Sequence, residues 1–266
     1  MEWLQIIVLA LIQGITEFLP VSSSAHLVLP SQLLGWPDQG LDFDVAVHMG
    51  SLVAVLVYFR HDLANYAFSA GNLLLRRRFD DHAGELCKIA LATVPIVLVG
   101  FIAKDWVESE LRSIGVIAAT TIGFGLLLAF ADTRHGDRAA VGWRDALIIG
   151  SMQVLAVIPG TSRSGITITA ALLIGLSRTG AARFSFLLSS PTIAGAGLLS
   201  TVDLARGDAD PAWGVLGFAA LLAGVAAYSC ISAFIALVER TGMMPYVIYR
   251  LALGSLLLVL WLGFWR

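Results

Sequence analysis

Eight apolar stretches follow one another along the chain, six continuous and two interrupted. The continuous ones run approximately over Phe43–Phe59, Ile89–Ala103, Ile114–Ala131, Phe184–Val202, Trp213–Val238 and Tyr246–Trp265. A spanning helix needs roughly 20 apolar residues, so these runs predict six transmembrane helices. Residues Asp62–Leu75 are weaker and end in Arg76-Arg77-Arg78, which predicts a helix lying in the membrane interface. The interrupted stretches are Trp3–Leu34 and Ala146–Leu176. The first is broken at Leu19-Pro20-Val21-Ser22-Ser23-Ser24, the second at Ile158-Pro159-Gly160-Thr161-Ser162-Arg163-Ser164-Gly165. Proline stops an incoming helix and Ser or Thr caps a new one. Each interrupted stretch therefore predicts two half-helices joined by a polar loop.

The basic residues turn these elements into a topology. Cytoplasmic loops are enriched in Lys and Arg. Eleven basic residues fall in one set of links: Arg60, Arg76, Arg77, Arg78, Lys88, Arg134, Arg138, Arg144, Arg178, Arg183 and Arg240. The opposite links hold four: Lys104, Arg112, Arg206 and Arg266. The bias holds only if the first interrupted segment enters and leaves on the outside and the second on the cytoplasmic side. Both are then re-entrant hairpins. A hairpin plus three spans makes each half, 1–135 and 136–266, and three being odd, the halves are oppositely oriented. The expectation is one all-α integral membrane domain over 1–266 with an inverted-topology repeat. Gln13 before the first break and Gln153 before the second are a faint echo of that repeat.

Composition agrees. Of 266 residues 58% are hydrophobic and 14% charged, against about 45–50% and about 25% in soluble domains. Disordered and nucleic-acid-binding chains are excluded. Cys87 and Cys230 form neither a disulfide framework nor a metal-ligand spacing. Met1-Glu2-Trp3 lacks a basic region and no cleavage site follows, so the start is not expected to be a secretory signal.

Two clusters carry the candidate chemistry. In Gln13–His26, Gln13 and Glu17 are four apart and share a helix face. If a helix restarts at the serines, His26 returns to the side of Ser22 and Ser23. An ionisable residue in an apolar segment points to function. In Pro159–Thr167, Arg163 is a permanent cation suited to phosphate oxygens. Thr161, Ser162, Ser164, Thr167 and the N–H groups around Gly165 would surround it at a helix N-terminus, where anions bind. Carboxylate and amide oxygens, from Glu17 and Gln13, suit Mg²⁺ or Ca²⁺. Cation, arginine and helix terminus together suit a diphosphate. A pocket within the membrane makes a lipid carrying that headgroup the natural substrate, with Ser22 and Ser24 also in binding range. Ser23, His26 or an activated water is left as the attacking group, Ser23 being preferred.

At these residues, QGITEFLPVSSSAH over Gln13–His26 and PGTSRSGIT over Pro159–Thr167, the sequence resembles the undecaprenyl-diphosphate phosphatase family of bacteria, the bacitracin-resistance type. Phe43–Arg60, Phe184–Pro191 and Pro245–Arg250 also look like that family. The resemblance implies that the essential glutamate, serine, histidine and arginine fall on Glu17, Ser23, His26 and Arg163. It further implies a divalent cation and removal of the terminal phosphate of undecaprenyl diphosphate. The product would be the monophosphate carrier of peptidoglycan synthesis, so bacitracin resistance and cell shape would depend on the reaction. The site would open to the outer face of the bacterial inner membrane. Gln13 leaves one carboxylate fewer for metal than a glutamate there would, and Ala25 stands where glycine is frequent.

A type-2 phosphatidic-acid phosphatase would need His and Asp where Thr169 and Leu173 follow Ser162-Arg163. The competing class is a transporter or flippase for polyprenyl phosphate, since inverted repeats with broken helices are also a transporter architecture. Of the other polar residues, His48 could join the pocket, a packing role being preferred, and Arg250 is expected to snorkel to the cytoplasmic surface. The loops Lys104–Arg112 and Asp203–Asp210 are expected to be solvated. The run Gly195-Ala196-Gly197 allows close helix contacts, within the chain or in a homodimer.

Overall fold

The computed structural model describes residues 2–37, 39–111, 113–205 and 212–263. Eleven α-helices and no strand are found among them. In order they are α1 Trp3–Phe18, α2 Ser23–Leu34, α3 Leu41–Tyr58, α4 Arg60–Arg76, α5 Asp81–Glu110 and α6 Ile114–Asp132. Then follow α7 Trp143–Gln153, α8 Arg163–Leu173, α9 Arg178–Ala205, α10 Trp213–Thr241 and α11 Met244–Gly263. A 3₁₀ turn, Val154–Val157, leads out of α7.

Five helices are long and apolar enough to cross a membrane: α3, residues Asp81–Ala103 of α5, α6, α10 and α11. The sixth expected span coincides with α9, 28 residues long but less apolar because Ser, Thr and Arg recur along it. The amphipathic stretch after the first span is a separate helix, α4, as its polarity predicts. Helix α5 continues to Glu110, so the stretch from Lys104 expected as loop is helical up to there; Arg112 lies outside the described residues. Asp203 is likewise helical, and 206–210 lie outside them.

Both broken segments are pairs of short helices. At 1.5 Å per residue, the 11 residues of α7 and of α8 reach about 16 Å, half of a ~30 Å hydrocarbon core. Their packing exchanges between halves: α1 lies on α10 while α7 lies on α5, α3 meets α9, and α6 meets α11. The α3–α10 contact is backbone to backbone. A Cβ on Gly50 would stand 2.0 Å from the Ala220 carbonyl oxygen, so only glycine fits.

Ion pairs collect at the end of the bundle to which the charge bias assigns the basic links. Arg178 donates to Asp132 (2.7 Å), Arg183 grips both oxygens of Asp62 (2.8 and 3.1 Å), and Arg138 donates to Asp145 (2.8 Å). Part of the basic bias therefore also joins helices to one another. At the opposite end Trp3 packs edge-on against Phe218.

Candidate active site

Glu17 stands on the last turn of α1. One turn earlier Gln13 donates its amide to Glu17 Oε2 at 2.9 Å. Helix α1 stops at Phe18, and Ser22 stands at the N-cap position of α2 with φ 72°, its side chain making no capping hydrogen bond. Ser23 then opens α2 and donates to the same Oε2 at 3.2 Å. The second loop repeats the device. Ser162 has φ 70°, accepts from the Gly165 N–H at 3.1 Å and leaves Arg163 as the first residue of α8. Arg163 Nη2 donates to Glu17 Oε1 at 2.7 Å. In both loops the N-cap serine meets the serine two residues on, Ser22 with Ser24 at 3.1 Å and Ser162 with Ser164 at 3.2 Å. Non-glycine residues at such φ cost of order 1–3 kcal/mol each, and here both occur at the loop tips.

The loops are clamped to each other. Ser164 Oγ donates to the Leu19 carbonyl (2.8 Å) and Gly160 N to Ser24 Oγ (3.2 Å). Arg250, expected at the cytoplasmic surface, is instead fully buried. Its guanidinium donates to the carbonyls of Pro20 (3.3 Å), Thr161 (3.0 Å) and Gly160 (3.1 Å), and to those of Thr120 and Thr121 on α6. No carboxylate is among these partners. One cation thus gathers carbonyls from both loops. Sequence spacing gave no hint of this, because the partners lie on three distant segments.

The cluster lines a cavity of about 490 Å³ between α3, α5, α9 and the two loops. Glu17, Ser22, Ser23, Ser24, Ser162 and Arg163 are on its wall, with Asp44 and His48 from α3. His48, for which a packing role is preferred on sequence, instead faces the cavity, its Nε2 3.8 Å from Glu17 Oε2 and its Nδ1 donating to the Asp44 carbonyl. Four expected binding residues point elsewhere. Thr161 is fully buried, Ser164 holds Leu19, the Gly165 N–H is taken by Ser162, and Thr167 pairs with Ser185 at 2.7 Å. They build the loop but are not on the cavity wall. His26 is also absent from the wall. Its Nδ1 donates to the Ser22 carbonyl at 2.7 Å, and its Nε2 meets the Tyr249 hydroxyl at 2.6 Å, with the two rings stacked.

For a divalent cation the donor set is thin but suitable. No three His, Cys, Asp or Glu side chains converge among the described residues. Gln13 is sealed, yet its Oε1 has no partner there. Glu17 is the one carboxylate in contact with Ser23 and Arg163. Mg²⁺ is commonly held by one or two carboxylates plus substrate phosphates; Glu17 could serve as such an anchor, and Asp44 is a second carboxylate on the cavity wall.

Residues 6–256 match the family described as bacitracin resistance protein BacA. A protein of Alcanivorax borkumensis named undecaprenyl-diphosphatase is 55% identical over 266 residues, covering 99% of this chain and all of that one. Another of that name from Hahella chejuensis is 52% identical, covering 98% of this chain and 99% of its own. By these sequence matches the chain belongs to the BacA family.

Proposed function

We propose that the chain is an integral membrane phosphatase that removes the terminal phosphate of undecaprenyl diphosphate, yielding undecaprenyl phosphate and inorganic phosphate. The observation that carries this reading is the convergence of a hydroxyl, a carboxylate and an arginine. Ser23 Oγ and Arg163 Nη2 lie on the two oxygens of Glu17, inside a cavity among apolar helices. A carrier needs no hydroxyl aligned with a carboxylate, so hydrolysis is favoured over lipid transport.

The terminal phosphate seats between Ser23 and Arg163. Arg163, paired with Glu17 in the empty site, turns its guanidinium to the phosphate oxygens in a two-pronged contact. Ser23 Oγ bonds to the terminal phosphorus and passes its proton to Glu17 Oε2. The bond from phosphorus to the bridging oxygen breaks, and the lipid monophosphate leaves with that electron pair. Glu17 gives that proton to the leaving monophosphate. Water then attacks the phosphorus on Ser23 and loses a proton to Glu17; the bond from phosphorus to Oγ breaks, Oγ takes the proton back from Glu17, and inorganic phosphate departs. His26 acts through position: held by Tyr249, it fixes the Ser22 carbonyl and so the start of α2. A divalent cation, Mg²⁺ or Ca²⁺, bound to the phosphates and anchored by Glu17 would supply charge neutralisation.

The two short-helix pairs fit re-entrant hairpins in a two-fold inverted repeat, with α9 as the sixth span. The cavity lies beside Leu41 and Asp44 at the start of α3, away from the end rich in ion pairs. That supports a site opening to the outer face of the bacterial inner membrane. The test is phosphate release from undecaprenyl diphosphate by purified protein in detergent. Release that disappears in Glu17→Ala and Arg163→Ala supports the reading; equal release by both variants overturns it.

A further inference from the structure

The headgroup site leaves open where the isoprenoid chain lies. Its cavity takes polar groups from the loops, Glu17, Asp44 and His48, and apolar ones from several elements, Leu41 and Val45 of α3 among them. Its second side, toward α5 and α9, is built by Ile96 of α5 and by Thr192, Ile193, Ala196 and Gly197 of α9. Around this second side the helices present apolar groups outward: Val94, Val97 and Leu98 on α5, Ala194 and Leu198 on α9. That surface faces lipid.

The proposed two-fold relation makes α5–α9 the counterpart of α3–α10. The α3–α10 contact is closed where Gly50 meets the Ala220 backbone. The α5–α9 side is where the cavity lies. A Cβ on Gly195 would meet nothing within 4 Å. Gly197 is buried, and a Cβ there would stand 2.9 Å from the Met49 sulfur of α3. Small side chains at this point keep the wall low.

We infer that the polyprenyl chain of the bound substrate leaves the cavity between α5 and α9, its first isoprene units lying against Ile96, Ile193 and Ala196. The inference rests on the proposed diphosphate site. An anchored headgroup whose tail is apolar must exit through an apolar side in contact with the bilayer, because passage along the polar loops would desolvate them without compensation.

The test compares a long and a short diphosphate, undecaprenyl and isopentenyl, in wild-type protein and in Ala196→Trp. The ratio of kcat/KM, long over short, should fall about tenfold, the effect of one lost apolar contact surface. Val97→Trp adds the same bulk to the lipid face of α5, away from the cavity, and should leave the ratio as it is. Ile96→Trp, blocking from the facing helix, should repeat the effect of Ala196→Trp. An unchanged ratio in both cavity variants, or an equal fall in Val97→Trp, overturns the exit route. Wild-type protein that hydrolyses neither compound overturns the phosphatase reading instead. The long-over-short ratio of binding affinities, measured on the same variants, then decides the route.

Discussion

Ser23 and Arg163, the first residues of two half-helices from opposite halves of the chain, hold the two oxygens of one carboxylate. Ser23 is 3.2 Å from Glu17 Oε2 and Arg163 is 2.7 Å from Oε1. Both side chains are screened from solvent in this pair, Arg163 at 12% and Glu17 at 9% exposure. Breaking a buried pair by removing one partner costs about 3–5 kcal/mol because the other charge is stranded. The single variants must therefore be checked for folding before their rates are read.

Glu17→Ala and Arg163→Ala are each expected to lower kcat by two or more orders of magnitude, since losing one transition-state electrostatic contact costs about 10²–10³. The double variant should lose much less than the product of the two, because each single change already disables the shared unit. A thermal melt of each variant separates this effect from unfolding.

The attacking group is identified by its phosphorylated form. With Ser23 as nucleophile, rapid acid quenching during turnover should trap an acid-stable phosphoester on the protein, absent in Ser23→Ala. An acid-labile label retained in Ser23→Ala would move the attack to His26. Tyr249→Phe frees His26 Nε2 from its 2.6 Å partner and should lower kcat without changing the residue that carries the label.

Chelator should abolish phosphate release. Calorimetry with Mg²⁺ alone should show no tight site in the substrate-free protein, where Glu17 is already paired with Arg163. Tight Mg²⁺ binding before the diphosphate arrives would show that Glu17 parts from Arg163 without it.

Much of this was legible in the sequence because it is local. The five apolar spans, the amphipathic α4 and both helix breaks follow from runs of residues, and the breaks fall on Pro20 and Pro159 as their chemistry requires. The convergence of Glu17, Ser23 and Arg163 was inferred from charge bias, a property summed over the whole chain. What stayed hidden depends on rotation and distance. The orientation of His26 toward Tyr249 rather than the cavity, the cavity-facing His48 and the inward path of Arg250 are set by packing of α3 and α11, on which spacing within one helix is silent. Thr161, Ser164, Gly165 and Thr167 looked like ligands because hydroxyls and N–H groups suit phosphate. The same groups also serve to tie down a tight loop, and that is the observed use of Ser164, Gly165 and Thr167, while the buried Thr161 hydroxyl has no partner among the described residues.

Arg250 supplies the last prediction, since the geometry of both loops passes through it. Its three nitrogens serve five backbone carbonyls on three segments. A lysine has three donors on one atom and cannot span them, so Arg250→Lys leaves buried carbonyls without partners at about 1–3 kcal/mol each. The loops would relax by fractions of an ångström, and a misplacement near 1 Å can cost about 10²-fold in rate. Arg250→Lys should therefore lower both the melting temperature and kcat, while KM for the diphosphate changes little, because the proposed headgroup contact, Arg163, is left in place. A variant with full kcat and a lowered melting temperature would show that Arg250 holds the fold but not the reacting geometry.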